Sequence, residues 1–88
     1  MTVTILITPV LRPYTGNRQS VKVEGTTVHD CLNRLVARYP ETEKWIFGSS
    51  NAPLICIFLN KEVVLSNNLE KNVSEGDVID LSPVVAGG

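Results

Sequence analysis

Thr27-Val28-His29-Asp30-Cys31-Leu32-Asn33-Arg34-Leu35-Val36-Ala37-Arg38-Tyr39-Pro40 is the stretch on which the fold turns. Its apolar positions 28, 31, 32, 35, 36 and 39 follow the i, i+3, i+4, i+7 spacing of a helix with one buried stripe. Both ends are marked. Thr27 stands three residues before Asp30, a capping-box-like pair in which Asp is shorter than the usual Glu. Arg34 and Arg38 lie toward the C-terminal end, where positive charge suits the helix dipole, and Pro40 cannot continue the helix. One amphipathic helix of this length covers one face of one sheet, so the flanking sequence has to supply that sheet.

It does so on both sides. Residues 2–8 alternate, with Val3, Ile5 and Ile7 on one face and three threonines on the other, which predicts a strand. Residues 9–17 hold two prolines and a Thr-Gly-Asn turn, a loop with room for one helical turn. Residues 19–24 alternate again, with Val21 and Val23 inward, and close a hairpin with the first strand. After the helix, residues 41–47 suggest a second short helix whose Trp45, Ile46 and Phe47 pack on the core. Residues 48–53 read as a loop. The apolar run 54–59 predicts a central strand covered on more than one side. Asn60-Lys61-Glu62 turns the chain into a short strand at 63–65, Leu69 and Val73 peg a polar loop, and Glu75-Gly76-Asp77 turns into a final strand carrying Ile79 and Leu81. The order β-β-α-β-β-β, with first and last strands as parallel neighbours, predicts an α+β fold of the β-grasp or ubiquitin-like kind. Four to five strands form a mixed sheet with one main helix across one face.

Composition narrows the function. Eighty-eight residues make one small domain, and a hydrophobic fraction of 43% is enough for a packed core. Eight basic residues against nine acidic leave a net charge of −1, which argues against a nucleic-acid partner. The N-terminus has no signal-peptide pattern and no segment approaches membrane-spanning length, so a cytoplasmic protein without a membrane partner is expected. Cys31 and Cys56 each sit in an apolar pattern and read as buried free thiols. One histidine and two distant cysteines yield no metal-ligand spacing, and no Ser/His/Asp constellation can be assembled. The chain is expected not to be an enzyme.

The C-terminal stretch Gly76-Asp-Val-Ile-Asp-Leu-Ser-Pro83-Val-Val-Ala-Gly-Gly88 carries the functional signal. Pro83 lacks a backbone donor and is expected to end sheet pairing, so the chain divides into a body at 1–82 and an extended tail at 83–88. The tail, Pro83, Val84, Val85, Ala86, Gly87 and Gly88, shrinks stepwise in side-chain size and spans about 20 Å when extended. Glycines without Cβ atoms pass constrictions closed to other residues. Such a tail suits delivery of its end into a partner's cleft.

With that stretch, and with Pro9-Val-Leu-Arg-Pro-Tyr-Thr-Gly16 in the first loop, the chain resembles the ubiquitin-like sulfur carriers of the MoaD/ThiS family over nearly its whole length. Within that family it looks most like the cysteine-synthesis branch. The resemblance implies a specific chemistry. An E1-like adenylyltransferase of the MoeB/ThiF type would use ATP to activate the Gly88 carboxylate. Sulfur would then displace AMP and leave a thiocarboxylate at Gly88. The implied acceptor is a pyridoxal-phosphate sulfhydrylase, with a zinc metallopeptidase of the JAMM type freeing the product, and the carrier itself binds no cofactor. Relatives dock their activating enzyme through an apolar patch on the exposed sheet face. Approximate alignment places that patch near Thr8, Val63 and Ser82, with Val63 its apolar member and Arg12 a candidate polar contact. Molybdopterin synthesis, thiamine synthesis and protein modification use the same kind of tail and stay open as alternatives.

Overall fold

The computed structural model describes residues 1–48 and 55–83. The predicted tail residues Val84, Val85, Ala86, Gly87 and Gly88, the residues 49–53 of the predicted loop and Leu54 lie outside the described residues. Five strands, β1 (Thr2–Leu6), β2 (Ser20–Glu24), β3 (Ile55–Leu59), β4 (Glu62–Val64) and β5 (Val78–Pro83), form one mixed sheet in the order β2-β1-β5-β3-β4. Helix α1 (Val28–Arg38) lies on one face, and the short α2 (Glu43–Ile46) follows it. Two 3₁₀ helices, Pro9–Tyr14 and Pro40–Thr42, lead out of β1 and into α2. β1 and β5 are the parallel pair predicted from the sequence, in register Ile5↔Ile79, and the remaining pairs are antiparallel.

The helix is built as its ends foretell. The Asp30 amide donates to Thr27 Oγ1 at 3.0 Å. The reciprocal bond differs from a capping box: Asp30 Oδ2 accepts from the Thr26 amide at 3.0 Å, one residue earlier than the cap. Arg34 reaches back to Asp30 at 3.8 Å, and Arg38 Nη1 donates to the Lys22 carbonyl at 3.4 Å, tying the last turn to β2. Val28, Cys31, Leu32 and Leu35 are fully buried against Val3, Ile5, Val21, Val23, Ile79 and Leu81. Gly25 makes the close approach of α1 possible, since a Cβ there would stand 2.6 Å from Cys31 Sγ. Trp45, Ile46 and Phe47 pack on the rim of this core, as expected for the region after α1, and Tyr14 from the first loop joins them.

The turn into β5 is held by polar contacts. Asn60 and Lys61, both at positive φ, make the tight turn between β3 and β4. Asn60 Nδ2 donates to Asp77 Oδ1 at 3.0 Å while its Oδ1 accepts from the Val78 amide at 3.0 Å. Asp77 Oδ2 also accepts from the Ser74 amide at 2.7 Å. These bonds, led by that from Asn60, hold the Asp77 carboxyl below its ordinary pKa. Gly76, at φ 85°, supplies the left-handed step into the strand.

Three expectations need correction. β3 is internal to the sheet, but only Ile55, Ile57 and Leu59 are buried; Cys56 and Phe58, on the opposite face, are half-exposed. Cys56 is therefore a free but not a buried thiol, whereas Cys31 is free and fully buried. Burial, with a smaller push from Asp30, raises the Cys31 pKa and keeps it a thiol. Pro83 does not end the sheet before it begins: it is the last residue of β5, opposite Ile55. On the β1 side the pairing stops at Leu6↔Asp80, so Pro83 has a strand neighbour on one side only, a setting that tolerates its missing N–H.

Candidate functional site

The face of the sheet turned away from α1 is the candidate site, because β5 runs across its middle and carries the chain toward residue 88. Alternation decides what this face presents. One transverse row, set by register, reads Ser20, Leu6, Asp80, Phe58, Val63 from β2 to β4. Val63 is 58% exposed, and Leu65, the next residue on that side past β4, is 62% exposed. Phe58, Val63 and Leu65 give the β3–β4 half an apolar surface that water covers at a cost, the ordinary mark of a contact surface.

The other half is concave. A groove of about 520 Å³ lies at the C-terminal ends of β1 and β5, bordered by Leu6, Thr8, Arg12, Asp80, Ser82 and Pro83. Arg12 is carried there by the 3₁₀ helix Pro9–Tyr14, whose Leu11 is fully buried and pins the loop to the core. Its Nε donates to the Ile7 carbonyl at 3.3 Å, which orients the guanidinium. Arg12 and Asp80 are both half-buried and line the same groove without forming an ion pair.

The predicted docking residues thus separate. Val63 is on the outer face and well exposed, as expected. Arg12 and Ser82 meet in the groove beside Pro83. Thr8 does not belong to an exposed patch: it is 6% exposed, buried where β1 gives way to the 3₁₀ helix. Leu6, Phe58 and Leu65 are the residues that sequence reasoning missed. Leu6 interrupts the threonine face of the first strand, a signal that was readable, and it is 37% exposed. Phe58 was hidden inside an apolar run that has no alternation to read. Among the described residues no cluster of three or more His, Cys, Asp or Glu could hold a metal ion. No described helix is long and apolar enough to cross a membrane.

Comparison with known proteins agrees with this fold. The sulfur carrier protein CysO of Mycobacterium tuberculosis is 31% identical over 93 residues covering all of both chains. Its crystal structure superposes with a TM-score of 0.81 at 32% identity, over 94% of this chain and 99% of that one. CysO in the BexX/CysO complex of Amycolatopsis orientalis gives 0.80 at 32% identity, over 98% and 99%. The small archaeal modifier protein 1 of Methanosarcina acetivorans gives 0.83 at 25% identity, over 99% and 96%. The fold is the ubiquitin-like β-grasp predicted from the strand order. With a family model matching residues 5–88, the chain belongs to the ThiS family.

Proposed function

We propose that the protein is a sulfur carrier that works through its C-terminal glycine. The observation that carries this reading is the family match running through Gly87-Gly88, directly behind a strand whose outer face is dressed for contact. A carboxylate is a poor electrophile, so an ATP-dependent activating enzyme of the MoeB/ThiF type first joins AMP to the Gly88 carboxylate and releases pyrophosphate. A sulfur donor then displaces AMP, leaving a thiocarboxylate, a soft nucleophile on a narrow arm. Pro83 to Gly88 is the arm, and Val63 with its apolar neighbours is the docking surface. The chain is co-substrate, not catalyst, and ATP belongs to its partner. Likeness to CysO favours delivery of the sulfur to cysteine or homocysteine synthesis in the cytoplasm. On this reading a pyridoxal-phosphate sulfhydrylase accepts the sulfur, and a JAMM-type zinc metallopeptidase releases the amino acid.

The test is intact mass. Incubation with ATP, the activating enzyme and a sulfide source should add about 16 Da, the exchange of one oxygen for sulfur. Deleting Gly88 should abolish the gain; a gain that persists in the deletion would place the sulfur elsewhere and overturn the proposal. Likeness to the archaeal modifier supports a second reading, attachment of Gly88 to lysines of other proteins. Higher-mass conjugates in cells, absent from the Gly88 deletion, would favour it over the carrier.

A further inference from the structure

β2 and β4 are the two edges of the sheet, and they are not equally closed. β4 has three residues, and just past its end the Leu65 carbonyl accepts from the Asn68 amide at 2.8 Å. β2 has five residues, and its hydrogen-bonding phase follows from its neighbours. The Ile7 amide donates to the Gln19 carbonyl and the Gly25 amide to the Met1 carbonyl, so the odd-numbered residues of β2 bond to β1. The amides and carbonyls of Ser20, Lys22 and Glu24 therefore point away from the sheet. Among the described residues only the Lys22 carbonyl has a partner there, Arg38 Nη1 at 3.4 Å, a long and exposed bond. A row of unpaired backbone groups is a template for one more strand.

Charge decides what kind of strand fits. Lys22 stands in the middle of this edge, Arg18 precedes β2, and Arg38 reaches across from α1, its guanidinium 5.8 Å from the Tyr39 ring. All three are exposed, and none has an ion-pair partner among the described residues. Glu24, the acid at the far end of β2, accepts from Thr2 Oγ1 at 3.0 Å. A second copy is a poor occupant, because antiparallel pairing of two β2 strands about Lys22 sets like charges opposite each other. An acidic strand meets no such bar, and the same charges attract it. Its backbone donor also replaces Arg38 at the Lys22 carbonyl, which frees that guanidinium for a carboxylate. We propose that β2 is a docking edge for an extended acidic segment of a partner protein. The segment adds to the sheet through the outward backbone of Ser20, Lys22 and Glu24, and its carboxylates pair with Arg18, Lys22 and Arg38. β2 is separated from β5 by β1 and lies at the opposite edge from Val63, so this docking is independent of the sulfur-carrier chemistry at residue 88.

The probe is a synthetic heptapeptide of alternating glutamate and valine, added to the full chain and followed by amide hydrogen exchange in NMR. At saturation the Ser20, Lys22 and Glu24 amides should exchange about tenfold more slowly, while the Val63 amide on the other edge is unchanged. Lys22→Glu should weaken binding about tenfold, less so at high salt, and Arg38→Gln about threefold. Lys71→Glu makes the same charge change as the Lys22 variant on an exposed loop and should bind as wild type does. The same peptide N-methylated at every amide keeps its carboxylates but cannot add as a strand, and should protect none of these amides. Circular dichroism and melting temperature check that the variants are folded. Unchanged exchange at Ser20, Lys22 and Glu24 with about 1 mM peptide overturns the proposal. Equal binding by the N-methylated peptide, or by one with lysine in place of glutamate, does so too. Protection that rises with protein concentration and needs no peptide overturns it in favour of a second copy.

Discussion

The two faces of the sheet are made by the same five strands, yet they obey different rules. The inner face is apolar without exception along β1, β2 and β5, where Val3, Ile5, Val21, Val23, Ile79 and Leu81 meet α1 and are at most 5% exposed. The outer face interleaves Thr4, Leu6, Asp80, Ser82, Phe58 and Val63, charged and apolar side by side. An inner position answers to packing, in which a lost methylene leaves a cavity. An outer position answers only to solubility and to whatever docks there. Residues that hold the molecule together and residues that present it to a partner are thus one position apart along each strand.

The largest expected effect breaks the inner face. Leu32 is fully buried at the centre of the α1 stripe, and Leu32→Ala should cost about 2–5 kcal/mol in urea unfolding. A loss below about 0.5 kcal/mol would mean that the helix does not carry the core. A second experiment reads both faces in one molecule. Cys56, half-exposed on the outer side of β3, should react with a thiol reagent in the native protein, whereas Cys31 should react only on unfolding. Equal labelling of both would erase the distinction between faces. The smallest effect lies at the turn into β5. Asp77 has a folded pKa held below its unfolded value, so its contribution is present above the unfolded pKa and is lost as pH falls through the folded one. Asp77→Asn should therefore be less stable than wild type at about pH 7, with the difference closing in acid below the carboxylate range. A difference of the same size at both ends would assign the role of Asp77 to shape instead of charge.

How far the sequence reaches follows the same division. The stripe in α1, the caps at Thr27 and Pro40, and the inward valines and isoleucines were all legible, because period 3.6 and period 2 are local properties of the chain. The parallel pairing of β1 with β5 was expected from the order of the elements, while its register, Ile5 opposite Ile79, came from the structure. The exposure of Cys56 and Phe58 was not legible. A run in which every residue is apolar has no period, so it cannot say whether one face or two are covered. Arg12 was singled out as a candidate polar contact, and only the fold showed that it lines a groove at the C-terminal ends of β1 and β5. The position of Pro83 also needed the sheet: a proline late in a strand is tolerated where the neighbouring strand has already ended, and β1 ends at Leu6.

By itself, then, the sequence determined which residues share a face, where the helix starts and stops, and that Gly87-Gly88 come a few residues after a strand. Only the tertiary structure decided which face stays open, and that Arg12, Asp80, Ser82 and Pro83 border one groove there. The reason is physical. Periodicity is written into neighbouring residues, whereas a groove is made by residues more than seventy positions apart that never sense one another until the sheet is formed.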